Sequence, residues 1–546
     1  MTAFRLAFAA AVCLGVAPGV AAQDGEPRLP SLTPREFEIR GDVRVDLPQI
    51  ERQPLSGFGP PPRTYVVPAD RAALTGAYDP SLDALPPLAL LAPSVPPSDL
   101  PMTRYLRAEA TYGNEAARTA RLDLSIPVAS GQFTADVDYE GLGSTSDEGV
   151  VSFDHLDATA GIQSGGALPI GLFGTATVSR YAVPGLVNPP TNFMNPLRRL
   201  SRFGAATTLG TEGVGPIDAR VEFTADRLAP ATDGAEMLLG ESQSGAKVEG
   251  RVRVRPVAGL QIDARGGAAG LDEGIGQDMQ FGSAGAAYEF TSRAGASLLL
   301  GARAMAYEVG SQNGDGYARA IAPIVDLSVP IGNALRAFGS NSPRLVSRSL
   351  GDLAETNPFV QDRPDVAPDV LRADARAGVE LVAGGLSLRG FALFVDAPTY
   401  LFYQRAPDGR YVQVYDSIRM QGLGLEASVV LPSGISLDAV VTARETELTE
   451  GGGEIPFVAP FTARGGLQVP FSRGRLSATL YREGKRPVNT TDSVDGVTLL
   501  SADARFDVTS QISVLLQADR LAGAVEEWPG YPLAGTAVRG GVRVTL

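Results

Sequence analysis

The sequence predicts an all-β protein: a transmembrane antiparallel β-barrel of about 22 strands, preceded by a proline-rich and mostly irregular N-terminal extension. Three observations predict it. From Met102 to Leu546, apolar and polar side chains alternate along one segment after another. No stretch downstream of the N-terminus holds the roughly 18 apolar residues that a spanning helix requires. The 63 glycines among 546 residues fit many strands that are joined by turns.

Residues 1–22 have the pattern of a secretory signal peptide. Arg5 precedes a short apolar run, residues 6–14, and three small residues, 20–22, come directly before Gln23. An anchor helix is disfavoured because the apolar run is too short to span a membrane. We therefore predict cleavage near Ala22 and localisation in the outer membrane of a Gram-negative bacterium. The partners would be export machinery, barrel-assembly machinery and outer-membrane lipid.

The residue inventory argues against enzymatic chemistry. Cys13 is the only cysteine and lies in the signal peptide, so the mature chain has no disulfide, cysteine-bound metal or thiol nucleophile. His155 is the only histidine, it is flanked by acidic residues, and no catalytic partner motif accompanies it. We predict no enzyme, no catalytic, cofactor-binding or metal-binding residues, and no cofactor. The net charge of −14 argues against nucleic acid as a partner.

The segment of residues 23–101 differs in composition from everything after it. Prolines cluster at 60–62, 86–87 and 96–97, and proline both fixes φ and removes a hydrogen-bond donor. With little apolar surface to bury, the segment is predicted to be a periplasmic or lumen-lining extension rather than a folded domain. We expect residues 55–67 to enter the lumen as a partial stopper. The alternative is a free periplasmic tail that binds a partner.

Residues 102–546 are predicted to form the barrel. Apolar residues alternate with charged ones most clearly in four segments, residues 217–226, 247–255, 371–381 and 500–508. Because side chains alternate faces along a strand, each of these segments has one apolar and one charged face. Soluble sandwiches alternate too, but residues 386–405 and 411–431 are long for soluble strands, which average about 5–6 residues. The lengths therefore favour a membrane barrel.

The connections also follow the barrel pattern. Short turns such as residues 432–434 alternate with longer polar connections such as residues 357–369, which contain three prolines. This is the arrangement of periplasmic turns and outer loops. An even number of strands places both ends of the barrel on the periplasmic side, together with the extension.

The charged faces of the strands are the candidate functional feature. If alternation holds, Val221 and Phe223 face lipid, and ten charged residues line the lumen: Arg220, Glu222, Arg251, Arg253, Arg255, Arg372, Arg376, Arg505, Arg539 and Arg543. The favoured interpretation is structural, namely cross-strand ion pairs that satisfy a wet interior. The alternative is that these side chains set the ion or solute preference of a pore.

Several stretches in the C-terminal part of the chain follow one another in a recognisable order and spacing. They are residues 335–343, 350–353, 357–358, 366–369, 415–416, 422–426, 455–460 and 528–535. In that order they resemble the barrel of TonB-dependent outer-membrane receptors. They are similar to that family's arginine–proline strand followed by Asn-Pro and then Pro-Glu, its strand that ends in Gly-x-Glu, its Leu-Pro-x-x-Pro segment and its final hairpin.

The resemblance implies a receptor-like barrel for solute uptake and a TonB-type energising partner. It covers the barrel only, because neither the family's plug domain nor its TonB box is recognisable; residues 37–39 are a poor substitute for the box. The sequence therefore does not decide between a barrel with a TonB-type partner and one without it. The predicted function is passage or uptake of an unknown solute across the outer membrane. The alternative is a structural or assembly barrel that anchors a periplasmic segment without transport.

Overall fold

The structure is a computed structural model that describes most of the chain from residue 104 onward. The described residues are 104–128, 131–146, 149–165, 168–183, 197–211, 214–231, 242–272, 279–309, 316–357, 359–360, 367–406, 410–449, 452–488, 493–519, 521, 526–528, 531–532 and 536–546. The predicted signal peptide, extension and stopper (residues 55–67) lie outside the described residues, so the domain boundaries at 22 and 101 stay predictions.

Twenty-two strands form the wall of the barrel. They are β1 (Tyr105–Gly113), β2 (Arg118–Val128), β3 (Gly131–Ser146), β4 (Gly149–Ser164), β5 (Ile170–Ala182), β6 (Leu197–Thr211), β7 (Val214–Pro230), β8 (Gln243–Val257), β9 (Leu260–Asp272), β10 (Met279–Thr291), β11 (Ser297–Val309), β12 (Gly316–Ile331), β13 (Leu335–Asn341), β16 (Ala373–Ala383), β17 (Leu386–Arg405), β18 (Tyr411–Val430), β19 (Ser436–Leu448), β20 (Phe461–Phe471), β21 (Gly474–Glu483), β24 (Thr498–Asp507), β25 (Ile512–Asp519) and β28 (Ala537–Thr545).

The remaining described elements lie in connections between wall strands. They are a single 3₁₀ turn (Asn114–Ala116), β14 (Arg344–Val346), the helix α1 (Leu350–Thr356), β15 (Asp369–Leu371), and two small hairpins, β22 (Arg486–Pro487) with β23 (Ser493–Val494) and β26 (Glu526–Trp528) with β27 (Tyr531–Pro532).

Every wall strand pairs antiparallel with its neighbours, and β1 pairs with β28 to close the sheet. In that closing pair Glu109 lies opposite Arg543 and Thr111 opposite Gly541. A closed sheet leaves no strand edge exposed, which is the condition for crossing lipid with strands. The predicted all-β barrel of about 22 strands is confirmed.

The outer face of the wall carries large apolar side chains that remain exposed. Val221 and Phe223 are 48% and 45% exposed, as predicted for lipid-facing positions, and Ile321 and Leu423 belong to the same band. Exposed aromatic side chains lie near the strand ends, as in the girdles of outer-membrane barrels: Tyr112, Tyr317, Phe471 and Phe506. This apolar band identifies an outer-membrane protein.

Among the residues that the structure describes, no helix is long and apolar enough to cross a membrane.

The two ends of the barrel differ in the length of their connections. Residues 332–334 join β12 to β13, and residues 384–385 join β16 to β17, whereas residues 342–372 separate β13 from β16. The predicted turn at residues 432–434 is present between β18 and β19, and Gly434 adopts the positive φ of 79° that the turn requires. Short turns mark the periplasmic end.

Two predictions change in detail. Residues 371–381 were expected to form one strand, but β15 ends at Leu371 and β16 begins at Ala373, because the chain bends at Arg372 to enter the wall. Residues 357–369 were expected in an outer loop. The connection does start from the end of the barrel that carries the long loops, but its described residues fold inward.

Candidate functional site: the lumen and its inner segment

The described residues of the connection between β13 and β16, residues 342–372, lie in the lumen, and we name this connection the inner segment. It is described over residues 342–357, 359–360 and 367–372 and contains β14, α1 and β15. Val346 lies opposite Asp369 in the β14–β15 pair, so the segment leaves and re-enters as a narrow hairpin. Val370 of β15 also pairs with Thr399 of β17.

Arginines of three other wall strands bind the backbone of this segment. Arg303 Nη1 donates to the carbonyl of Pro343 over 2.5 Å, and Arg265 Nη1 donates to that of Leu345 over 2.7 Å. Arg198 Nη1 reaches the carbonyl of Val360 over 2.7 Å. These arginines belong to β11, β9 and β6, while the segment departs from β13 and returns at β16. Because β6 lies seven wall strands before β13, the segment must reach across the lumen to contact Arg198.

The helix α1 begins at an N-terminal capping motif. Ser349 is its N-cap, and a capping box joins the Ser349 side chain to the Asp352 backbone and the Asp352 side chain to the Ser349 backbone. On one face, Leu350 and Ala354 are buried against Leu200 and Leu228 of the wall. This apolar contact sets the side of the helix that faces β6 and β7.

Arg202 of β6 is the centre of a polar network between α1 and the wall. Its guanidinium donates to Asp226 over 2.8 Å, to Asp352 over 2.9 Å and to Glu355 over 3.1 Å. Asp226 in turn accepts the backbone N–H of Gly351 over 2.8 Å. Charge-assisted bonds of this type are about twice as strong as neutral ones. Hydrogen bonds that centre on Arg202 therefore hold the helix to the wall.

A second group of contacts holds the stretch before α1. Lys247 Nζ lies 3.5 Å from Asp352 Oδ2 and donates to the Ser347 carbonyl over 3.3 Å. The Ser347 hydroxyl donates to Glu249 Oε2 over 2.7 Å, and the other Glu249 oxygen accepts from Arg265 over 2.5 Å. Lys247 and Glu249 are neighbours on one face of β8. Contact with the inner segment shows that this is the lumenal face.

The two acids of α1 respond differently to this environment. Burial raises the pKa of Glu355 to about 7, and repulsion by Asp352 and Asp157 acts in the same direction while Arg202 and His155 oppose it. Burial also disfavours ionised Asp352, but Arg202, Lys247 and the Ser349 backbone N–H together hold its pKa below the usual value. Glu355 keeps 40% of its side chain accessible, so lumen water moderates its burial.

An apolar core surrounds the rest of the inner segment. One buried cluster joins side chains of several wall strands and connections to four residues of the inner segment, Leu345, Leu353, Phe359 and Val360. Val360 also forms a parallel bridge with Tyr411, whose ring packs edge-on against Phe457 at 5.5 Å. The other described members of the cluster include Tyr181, Met279, Phe281, Met305, Tyr307, Leu401, Tyr403 and Val494. Packed side chains therefore occupy the lumen around the inner segment.

Five of the predicted lumen-lining residues lie on β7 and β8. Arg220 pairs with Glu222 at 2.8 Å, and Arg253 lies 3.9 Å from Asp218. Arg251 lies opposite Arg220 on one side and Arg265 on the other, which places three arginines in one row across β7, β8 and β9. Arg255 continues the same face of β8 toward the β8–β9 turn.

The other predicted residues are spread around the wall. Arg539 is buried and pairs with Asp519 and Glu140, and Arg543 pairs with Glu109 at 2.7 Å. Arg505 pairs with Asp507 at 3.0 Å, and Arg376 is buried with its guanidinium 5.6 Å from the Phe391 ring centre. Arg372 lies at the break before β16, with over half of its side chain exposed, and pairs with Asp396 at 2.6 Å.

The wall residues that hold the inner segment were not among the predicted site residues. Alternation along the strands could have identified these residues only as polar positions; they are Arg202, Asp226, Arg265 and Glu249. No sequence signal paired them with residues 342–372, although the Ser349–Asp352 capping box could have indicated a helix start in that connection.

The single histidine is fully hydrogen-bonded. His155 Nδ1 lies 2.7 Å from Ser179 Oγ, and Nε2 lies 2.6 Å from Asp157 Oδ2. Within the described part of the chain, no group of three or more His, Cys, Asp and Glu side chains is arranged to hold a metal ion.

Comparison with solved structures finds the same barrel in proteins described as transporters and receptors. The FrpB iron transporter of Neisseria meningitidis (F3-3 variant) matches with a TM-score of 0.64 and 12% identity, over 81% of this chain and 82% of that chain. The copper transporter OprC matches with a TM-score of 0.60 and 10% identity, over 81% of each chain.

A third barrel of the same kind is that of the ferric-catecholate import receptor Fiu from E. coli K12, with a TM-score of 0.53 and 10% identity over 82% of each chain. No protein-family model and no curated protein sequence matches this chain. At these identities the likeness concerns the fold. The predicted resemblance to the barrel of TonB-dependent receptors is confirmed at that level.

Proposed function

We propose that this protein is an outer-membrane barrel for the passage or uptake of a small solute, and that the inner segment is the constriction of its lumen. One observation carries the proposal: the Arg202 network fastens α1 to the opposite wall through side chains rather than through a continuous sheet. Side-chain ion pairs can be exchanged for water or solute, whereas a paired strand cannot be released without breaking its ladder. The barrel fold of the structural neighbours, which are described as transporters and receptors, supports this function.

In this proposal the charged lumen-lining residues stabilise the wall of the barrel. Arg220, Arg253, Arg505 and Arg543 each have a carboxylate partner within 4 Å. We assign to these pairs the stabilisation of a hydrated wall, in line with the structural interpretation of the sequence. A TonB-type energising partner would contact residues 23–101, which the structure does not describe.

The pairing of β14 with β15 allows a direct test of whether the inner segment is the constriction. Because Val346 and Asp369 are directly opposite, an Asn-Gly turn in place of residues 347–368 closes the hairpin without moving either wall strand. In planar bilayers, wild type should give small single-channel currents and the shortened barrel several-fold larger ones. Folding of both barrels is verified by their mobility on a detergent gel. Equal currents in the two proteins would show that the inner segment is not the constriction.

The apolar core around Leu345, Leu353 and Phe359 supports a second candidate function, because it occupies the lumen around the inner segment. Such a core suits a sealed structural or assembly barrel that anchors a periplasmic segment. If the shortened barrel conducts while wild type passes neither ions nor small sugars under any condition, the anchor function replaces solute passage.

A further inference from the structure

Arg475 stands apart from the other arginines of the lumenal wall. It is the second residue of β21, and Leu476 beside it is exposed on the outer face, so alternation turns Arg475 inward. Its Nε is buried and has no hydrogen-bond partner. Most other inward-facing arginines of the described wall have an ion pair or a hydrogen bond, as Arg107, Arg505 and Arg543 do. For Arg475 no ion pair and no hydrogen bond occurs among the described residues.

The surroundings of Arg475 make this lack of a partner costly. Arg505 lies directly opposite it on β24, and like charges opposite each other destabilise a strand pair. Arg543 and Arg107 repel the Arg475 guanidinium as well. A buried donor without a partner costs about 1–3 kcal/mol, more when it is charged. A group in this state calls for a specific explanation.

Two nearby carboxylates are engaged by other arginines, and a third accepts a hydroxyl group. Asp507 binds Arg505 at 3.0 Å and accepts the Ser513 hydroxyl, and Glu109 binds Arg543 at 2.7 Å. Asp503, the acid that attracts Arg475 electrostatically, accepts the Ser477 hydroxyl over 3.2 Å. The guanidinium of Arg505 is thus fixed by Asp507, while that of Arg475 keeps its donors for a ligand from outside the wall.

We propose that Arg475 and Arg505 form an anion-binding site near the periplasmic end of the lumen, for the phosphate or carboxylate group of a solute. An oxyanion between the two guanidinia satisfies the buried Nε of Arg475 and offsets the repulsion across the β21–β24 pair. Bidentate binding of such groups is the interaction for which the arginine fork is best suited. The site does not depend on the proposed function, because a sealed barrel could bind an anion equally well.

The test uses the purified full-length barrel and two probes, inorganic phosphate and acetate, titrated calorimetrically at constant ionic strength in chloride. Wild type should bind phosphate, acetate or both. Arg475→Gln should bind at least about tenfold more weakly, because charge-assisted hydrogen bonds are lost. Arg475→Lys should restore part of the affinity. Arg473→Gln is the matched control, since it removes the same charge from the exposed turn two residues away and should bind as wild type does.

The Arg475→Gln barrel should fold, because the substitution relieves a like-charge contact, and its detergent-gel mobility verifies this. A response to phosphate alone or to acetate alone identifies the group that the site prefers. The proposal is overturned if wild type binds neither probe, or if Arg475→Gln binds with unchanged affinity. Because binding is measured without transport, a sealed wild-type barrel would overturn the proposed function and leave this result standing.

Discussion

Gly351 lies in the first turn of α1, where the helix comes closest to the wall. A methyl group on its Cα would overlap the Arg202 guanidinium and the Asp226 carboxylate. The backbone N–H of the same residue donates to Asp226. Glycine is therefore needed here for close approach, and the Arg202 network depends on it.

Gly351→Ala should loosen α1 from β6 and β7 at a cost of about 1–3 kcal/mol, because either the helix or Arg202 must move. The expected result is faster protease cleavage within the inner segment of the folded barrel, together with larger single-channel currents. Gly250→Ala is the control, since the added methyl group would meet only the Val221 side chain at 3.9 Å. Equal cleavage rates in both variants would contradict the assigned contact.

Val221 and Glu222 are neighbours on β7 that face opposite sides of the wall. Val221→Arg should lower the free energy of unfolding by about 2–4 kcal/mol if it lies near the middle of the bilayer, because a charge then faces lipid. Glu222→Arg should cost much less, since it faces water and also removes the like-charge contact with Glu249. Urea unfolding in vesicles measures both, and the reverse ranking would mean that the two faces are wrongly assigned.

At the scale of elements, the inner segment combines two kinds of attachment. Its apolar side chains, those of α1 included, join buried clusters, and α1 is in addition held to β6, β7 and β8 by Arg202, Asp226 and Lys247. The polar attachment changes with proton concentration, and the apolar one does not. We expect the helix to detach from the wall before the rest of the segment does.

The attachment of α1 should weaken as pH rises. The pKa of Glu355 is about 7 with the helix in place, against an ordinary value of about 4.3. Between these values the attached helix holds a proton that the detached helix lacks, so attachment is favoured at pH 5 and loses that advantage by pH 8. The pKa of Asp352 is lowered, so its contribution is lost only in stronger acid.

Hydrogen exchange of the α1 amides at pH 5 and pH 8, corrected for intrinsic rates, measures this change. Exchange should be less protected at pH 8 in wild type. In Glu355→Gln the difference between the two pH values should largely disappear, because the titrating group is gone. A difference that persists in this variant would assign the effect to another group.

At the scale of the whole molecule, closure of the sheet is the event on which everything else depends. Glu109 of β1 and Arg543 of β28 form an ion pair at 2.7 Å across the closing seam, and Glu109 is buried. Removing one partner of a buried pair leaves the other with an uncompensated charge, although Arg107 at 3.1 Å still neutralises part of it.

The closed barrel should be heat-modifiable, migrating faster on a detergent gel unboiled than boiled, because a sheet without edges resists detergent. Arg543→Leu should lower the temperature at which the slow band appears, by the equivalent of about 1–3 kcal/mol. Arg293→Leu, in the exposed β10–β11 turn, is the control with the same loss of charge. Identical mobility of boiled and unboiled wild type would contradict a closed barrel.

The N-terminal extension should be dispensable for folding. Deleting residues 23–98 removes no described strand, since β1 begins at Tyr105. If residues 55–67 act as a partial stopper, the deletion should increase conductance and sensitivity to large antibiotics. Normal folding with unchanged permeability would favour the free periplasmic tail instead.

The wall of the barrel could be predicted from the sequence because the information is local. A strand repeats every two residues, so segments such as residues 217–226 and 500–508 show both faces directly, and Val221 and Phe223 could be assigned to the exposed face. The length of β17, Leu386–Arg405, and the turn at residues 432–434 follow from equally local signals. The sequence by itself therefore determined a closed antiparallel wall of about 22 strands.

Only the tertiary structure decided which connection enters the lumen and what holds it there. Arg202 and Asp352 are 150 residues apart, and Glu109 and Arg543 are 434 apart. No local pattern links such partners, because closure of the sheet brings them together. Residues 357–369 were read as an outer loop for the same reason: polar, proline-containing residues look alike whether they face outer solvent or a charged lumen. The fit of α1 to Arg202 and Asp226 on the far wall distinguishes the two.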